Sequence, residues 1–166
     1  MVDTPHNFTP STTHVAAASL NQTVGDWSGN HRRIVEVIKE AKNRGVKLLL
    51  LPEIVIPGYS LGDRLPRQGT LDRSWSGLID LMPYTDGIVV CLGLPLSIKG
   101  VLYNAAAVIA DRKIHGFVAK ENLATGDVEY ENRWYQAWPH GVSSTFVAPD
   151  GETYPIGSIL FEASGV

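Results

Sequence analysis

The spacing of apolar residues changes several times along the chain, and each change marks an element. The first apolar run, His14 to Leu20, is short and unbroken and reads as a buried strand. Polar Asn21-Gln22-Thr23 and a Gly25-Asp26 turn follow it. Ile34, Val37, Ile38 and Ala41 then recur at i, i+3, i+4 and i+7, which is one face of a helix running from about residue 30 to 44. Ser28 or Asn30 can cap its start, and Gly45 stands where a left-handed residue ends a helix. The run Val46 to Leu51 is continuously apolar and predicts a strand covered on both faces, stopping at Pro52-Glu53.

Pro57, Gly58, Gly62 and Pro66 make residues 54–67 a loop. Leu71, Trp75, Leu78, Ile79 and Met82 form a second helical stripe that Pro83 ends. Three strands are expected next, over Gly87 to Leu94, Val101 to Ala110 and Lys113 to Ala119. Ser97 to Gly100 and Asp111-Arg112 join them as hairpins. Residues 120–141 have no clean period and are polar and aromatic, with Trp134, Tyr135 and Trp138 close together. Two further strands, Ser144 to Ala148 and Ile156 to Glu162, flank the turn Pro149-Asp150-Gly151. This order predicts an α/β fold with a mixed sheet and helices on one face. The last strand has no cover of its own, so the domain reads as incomplete at its C-terminal end. Residues 1–13, rich in Thr, Pro, Ser and His, read as a disordered lead-in.

Composition narrows the function. The chain has 166 residues, 44% of them hydrophobic, enough for one domain with a real core. A net charge of −3 argues against a binder of nucleic-acid phosphates. No secretory signal or membrane-spanning stretch is evident, which points to a cytoplasmic protein. The single cysteine, Cys91, lies inside an apolar strand and reads as a small hydrophobe rather than a nucleophile. It allows no internal disulfide and no cysteine-based zinc site. The five histidines lack metal-ligand spacing, and no Gly-rich phosphate loop or G-x-S-x-G elbow occurs.

Two charged residues stand at the C-terminal ends of strands, where α/β sheets present functional groups. Glu53 ends the most apolar strand, where partial loss of water would suit a general base. Lys120 ends a later one, where an ammonium could stabilise an oxyanion. Position alone also fits a solvated loop carboxylate and a surface lysine. Glu129 and Glu131, near Arg133, could equally form a surface ion-pair patch.

Leu51-Pro-Glu53 and Lys120 together resemble the nitrilase, or carbon–nitrogen hydrolase, superfamily. Leu20 to Asn30, Leu51 to Tyr59, Gly93 to Leu96, Tyr103-Asn104, Lys120 to Gly126 and Tyr130 to Trp134 are more similar to the glutaminase domains of glutamine-dependent NAD synthetases. The likeness spans roughly residues 15–166. It implies an α-β-β-α sandwich, four-layered in the parent, of which residues 14–166 are the N-terminal part. It also implies a Cys-Glu-Lys triad that hydrolyses glutamine through a thioester and supplies ammonia to an ATP- and Mg-dependent synthetase domain. On this resemblance Glu53 is the general base, Lys120 the oxyanion stabiliser, Glu131 the second carboxylate, and Tyr59 part of the glutamine pocket. A C-terminal synthetase domain and a homo-oligomer are the implied partners, with no cofactor, metal, nucleic acid or membrane for this chain itself. The family cysteine follows the next strand, past Val166, so the chain alone is expected to be inactive. A stand-alone nitrilase-like amidase and a non-catalytic interaction module of the same fold are the alternatives.

Overall fold

The computed structural model describes residues 12–126 and 128–163. Most of the expected lead-in, and the last three residues, lie outside them. Two βα units open the fold. Strand β1 (Val15–Ala17) leads to helix α1 (Trp27–Asn43), and β2 (Leu48–Leu50) leads to helix α2 (Gln68–Leu81). Strands β3 (Val89–Ile98), β4 (Val101–Ala110) and β5 (Lys113–Ala119) then form a meander. A two-stranded ribbon, β6 (Thr125–Gly126) and β7 (Glu129–Tyr130), stands apart. Strands β8 (Ser143–Val147) and β9 (Thr153–Gly157) close the order. The main sheet runs β1-β2-β3-β4-β5-β9-β8, so it is the mixed sheet expected. The pairs β1–β2, β2–β3 and β5–β9 are parallel, and the hairpins are antiparallel.

Local chemistry explains the boundaries. Helix α1 begins earlier than its apolar stripe, and its cap is Asp26, not Ser28 or Asn30. The Asp26 carboxylate accepts the Gly29 N–H at 3.0 Å. Asn30 lies inside the helix and is fully buried, bonding the carbonyls of Thr23 and Ile56. Gly45 has φ +73°, the left-handed exit expected. Both hairpin turns, Lys99-Gly100 and Asp111-Arg112, have two residues with positive φ, the geometry that matches strand twist. The first strand of the meander therefore continues to Ile98, beyond its expected end.

Register parity separates the two faces of the sheet. Leu49, Val90, Leu92, Ala107, Ile109, Phe117 and Ile156 point to one side and are buried under Ile34 and Ile38 of α1 and Trp75 and Leu78 of α2. Phe117 lies beside Trp75, Phe146 and Tyr154, with centroids 6.0, 5.4 and 5.9 Å away. The other side carries Val15, Leu50, Cys91, Ala106 and Val118. Among the described residues no helix covers it. Val15 is 66% exposed and Leu50 50%. Strands β1 and β2 are thus covered on one face, and β2 is not buried on both as its apolar run suggested. One sheet and one helix layer of the expected sandwich lie within the described residues.

The last strand is also displaced. It occupies Thr153–Gly157, not Ile156 to Glu162, and Pro155 sits within it. Pro155 is opposite Thr145 of the edge strand β8. Residues 158–163 leave the sheet, and Phe161 approaches Gly116 on the open face. The β4–β5 ladder carries one irregularity. Val108 pairs with Gly116 but Ile109 pairs with Ile114, so His115 is an extra residue bulged out of the ladder.

Phe117→Ala should remove about 3–5 kcal/mol of stability by leaving a void among these aromatic rings. Urea denaturation of the purified chain measures this, and a loss below about 1 kcal/mol would mean the core sits elsewhere.

Candidate active site

The C-terminal ends of β2 and β5 meet the start of β4 on one rim of the sheet. Glu53 lies just past β2. It is held there by a close crossing of the chain over β3. Gly93 N–H bonds Pro52 C=O at 3.2 Å. A side chain at Gly93 would place its Cβ 2.3 Å from Ile54 N and 2.7 Å from Glu53 Cα. Only glycine leaves room for that crossing. Ile54 follows with φ +47°, an uncommon conformation for a β-branched residue, and is completely buried. The backbone that carries Glu53 is therefore wedged in place.

Lys120 follows β5, and its N–H bonds Asn104 C=O at 2.8 Å. Its ammonium meets two carboxylates: Glu53 Oε1 at 2.8 Å, and Glu131 Oε2 at 2.8 Å and Oε1 at 3.0 Å. Glu131 opens a short 3-10 turn, Glu131–Arg133, and its side chain is only 4% exposed. It accepts Tyr59 O–H at 2.8 Å on Oε1 and Ala124 N–H at 2.7 Å on Oε2. The side-chain amide of Asn104 donates to Glu53 Oε1 and reaches Glu131 Oε1 at 3.4 Å.

The two acids are thus unequal. Both oxygens of Glu131 are engaged, so it is a fixed anchor. Glu53 accepts only on Oε1, and among the described residues no protein donor reaches Oε2. Glu53 is also 39% exposed at its side chain, less stripped of water than its place after β2 suggested. It has a free oxygen pointing away from its own partners, as a proton acceptor needs.

The charges reinforce one another. Burial works against the Lys120 ammonium, but its bonds to Glu131 and Glu53 outweigh that and hold its pKa above the usual lysine value. Burial likewise works against the Glu131 anion. Lys120, the Ala124 N–H and Tyr59 outweigh it and hold Glu131 below the usual carboxylate range. Burial, together with the bond to Glu131 and nearby negative charge, pushes the Tyr59 phenol up. Burial also raises Tyr135, aided by the charges of Glu131 and Glu53. The Tyr135 hydroxyl is buried and has no partner among the described residues. With Tyr59, Glu129, Glu131 and Trp134 it lines a cavity of about 190 Å³ beside the cluster.

Of the residues singled out in the sequence, Glu53, Lys120, Glu131 and Tyr59 converge here. Glu129 lies on exposed β7 and does not touch Lys120. Arg133 pairs with Asp63 at 2.9 Å, which Trp134 Nε1–H also bonds, and so ties the 54–67 loop to this region. Cys91 sits mid-strand opposite Val108, and burial raises its thiol pKa, which suits no nucleophile. Asn104, Gly93 and Tyr135 carry no chemical signal of their own in the sequence. Gly93 and Asn104 entered only within the segments that carry the resemblance, with no role attached, and Tyr135 only as one of three close aromatics. Among the described residues, no group of three or more His, Cys, Asp or Glu is placed to hold a metal, and no helix is long and apolar enough to cross a membrane.

The site is thus a strand-end lysine bracketed by two carboxylates, on the rim of a mixed sheet with one helix layer. The carbon–nitrogen hydrolase family pattern matches residues 14–153, and the chain belongs to that family. It is 34% identical over 142 residues to the glutamine-dependent NAD(+) synthetase of Dictyostelium discoideum, covering 83% of this chain and 20% of that protein. Against the human synthetase it is 36% identical over 126 residues, covering 75% of this chain and 18% of that one. The chain thus spans about a fifth of the length of these curated relatives. A crystal structure of the Cytophaga hutchinsonii synthetase superposes with a TM-score of 0.89 at 35% identity over 93% of this chain and 26% of its own. An amidase from Nesterenkonia sp., at 17% identity and a TM-score of 0.62 over 85% of this chain and 51% of its own, shares the fold.

Stability should fall at both ends of the pH scale. Glu131, with its folded pKa lowered, stabilises the fold above its ordinary pKa of 4.5 and loses that contribution as pH falls below it. Lys120, Tyr59 and Tyr135, with folded pKa values raised, stabilise below their ordinary values of 10.5, 10.0 and 10.0 and lose that contribution as pH rises past them. Urea midpoints taken across the pH range should show this plateau, and Glu131→Gln should flatten its acid limb. An unchanged acid limb would remove Glu131 from its role as anchor.

Proposed function

We propose that this chain supplies the acid–base half of a glutamine amidohydrolase site that releases ammonia within a longer glutamine-dependent NAD synthetase. The asymmetry of the two carboxylates carries this reading, because it gives one fixed anchor and one free base on either side of a single ammonium. The relatives named above support it. The thiol comes from outside these residues, since Cys91 lies mid-strand opposite Val108 and burial raises its thiol pKa.

In this mechanism Glu53 Oε2 takes the proton of the attacking thiol. The thiolate adds to the side-chain amide carbon of glutamine, and the Lys120 ammonium stabilises the oxyanion. Glu53 returns its proton to the leaving nitrogen, so ammonia departs and a glutamyl thioester remains. Water, deprotonated by Glu53, then hydrolyses the thioester to glutamate and free thiol. Glu131 keeps Lys120 charged and aimed throughout. The cavity beside Tyr59 and Trp134 receives the rest of the glutamine. The ammonia passes to an ATP- and Mg-dependent domain of the same protein.

In the protein read on past Val166, Glu53→Gln and Lys120→Ala should each lower glutamine-dependent synthesis by about 10³-fold or more. Synthesis from ammonium salts should persist. Loss of both activities, loss of neither, or a reading frame that stops at Val166 would sink the proposal.

A further inference from the structure

Asn104 touches every charged member of the site, yet it carries no charge itself. Its backbone carbonyl accepts the Lys120 N–H at 2.8 Å. Its side-chain nitrogen reaches Glu53 Oε1 and, at 3.4 Å, Glu131 Oε1. The residue is 4% exposed and sits in the middle of a paired strand, opposite Pro95. A primary amide has two N–H groups, one for each carboxylate. Lys120 bridges the same two acids, but through a long flexible stem. Asn104 has a short side chain on a rigid strand, and only it joins a fixed backbone to the free base.

We propose that Asn104 is the positioning residue of the site: it pins Oε1 of Glu53 so that Oε2 faces the reacting thiol. This rests on the amidohydrolase reading above. Glu53 needs such a pin because its side chain is the most exposed of the three charged groups, at 39% against 29% for Lys120 and 4% for Glu131. Glu131 does not need one, since Tyr59, Ala124 and Lys120 already hold both of its oxygens. Without the amide, the Glu53 carboxylate can rotate about its last torsion, which is broad for a carboxylate. Lys120 and Glu131 would stay paired.

The test has a physical arm and a kinetic one. In the 166-residue chain, Glu53→Gln should shift the Asn104 side-chain amide resonances and speed their exchange with water by about tenfold, through loss of a charge-assisted bond. Unchanged resonances would overturn the proposal without need of any Asn104 variant. In the longer protein, Asn104→Leu, similar in size but without a donor, should lower kcat for glutamine by about 10²-fold, as a misplaced catalytic group does. KM should stay within about twofold, since the substrate cavity is untouched. Asn104→Asp, which adds a third acid, should be worse still. Full kcat in Asn104→Leu, or a raised KM at constant kcat, would refute the role. Full activity in Glu53→Gln would instead refute the amidohydrolase reading itself.

Discussion

The structure turns on one ammonium group held between two carboxylates. Lys120 Nζ lies 2.8 Å from Glu53 and 2.8 Å from Glu131. Three charges with a net of −1 share the rim of a sheet, two of them well shielded from water. Removing one partner would leave the others uncompensated, which is far costlier than breaking a surface pair. The neighbouring contacts serve that balance. Tyr59, the Ala124 N–H and Asn104 satisfy further lone pairs while Glu53 Oε2 stays open, and Gly93 lets the Glu53 backbone come close enough to join. The segments around Glu53, Asn104, Lys120 and Glu131 meet through the β4–β5 ladder, the Gly93 crossing and the backbone bonds from Gln136 N–H to Leu102 C=O and from Trp138 N–H to Lys120 C=O.

This arrangement divides the work. Glu131 is bonded on both oxygens, to Tyr59, Ala124 and Lys120, which suits the anchoring role proposed for it. Glu53 is bonded on one oxygen and open on the other. In the proposed reaction the same residue type takes two roles through its surroundings, which separate an electrostatic support from a proton carrier.

Much of this was legible in the sequence. The 3.6-residue stripes located both helices, and strand-end charges marked Glu53 and Lys120. The failures have identifiable causes. A continuous apolar run does not reveal whether one or both faces of a strand are covered, so β2 was expected to be covered on both. Pro155 disguised β9, because an edge partner tolerates a residue that a central strand would not. Asp26 capped α1 about two turns before the apolar stripe began at Ile34. Within the site, Asn104 and Gly93 act through proximity created by folding, and no local spacing encodes it. Glu131 and Tyr59 stood out only through family resemblance, since their partners lie 11 and 72 positions away.

The bulge at His115 bears on how such a site can be lost. Pairings on the turn side of it, such as Ile109 with Ile114, differ by one position from those on the rim side, such as Ala105 with Ala119. The bulge absorbs the loss of His115 itself, since Val108 already pairs with Gly116, but deleting a residue on its rim side, such as Val118, would pull Lys120 back by one place, and side chains in a strand alternate sides. The ammonium would then emerge among the buried leucines under the helices. Between the bulge and the rim, length is therefore under tighter control than composition: a single deletion there would disarm the site, while loss of the bulged His115 would leave the rim pairings in place.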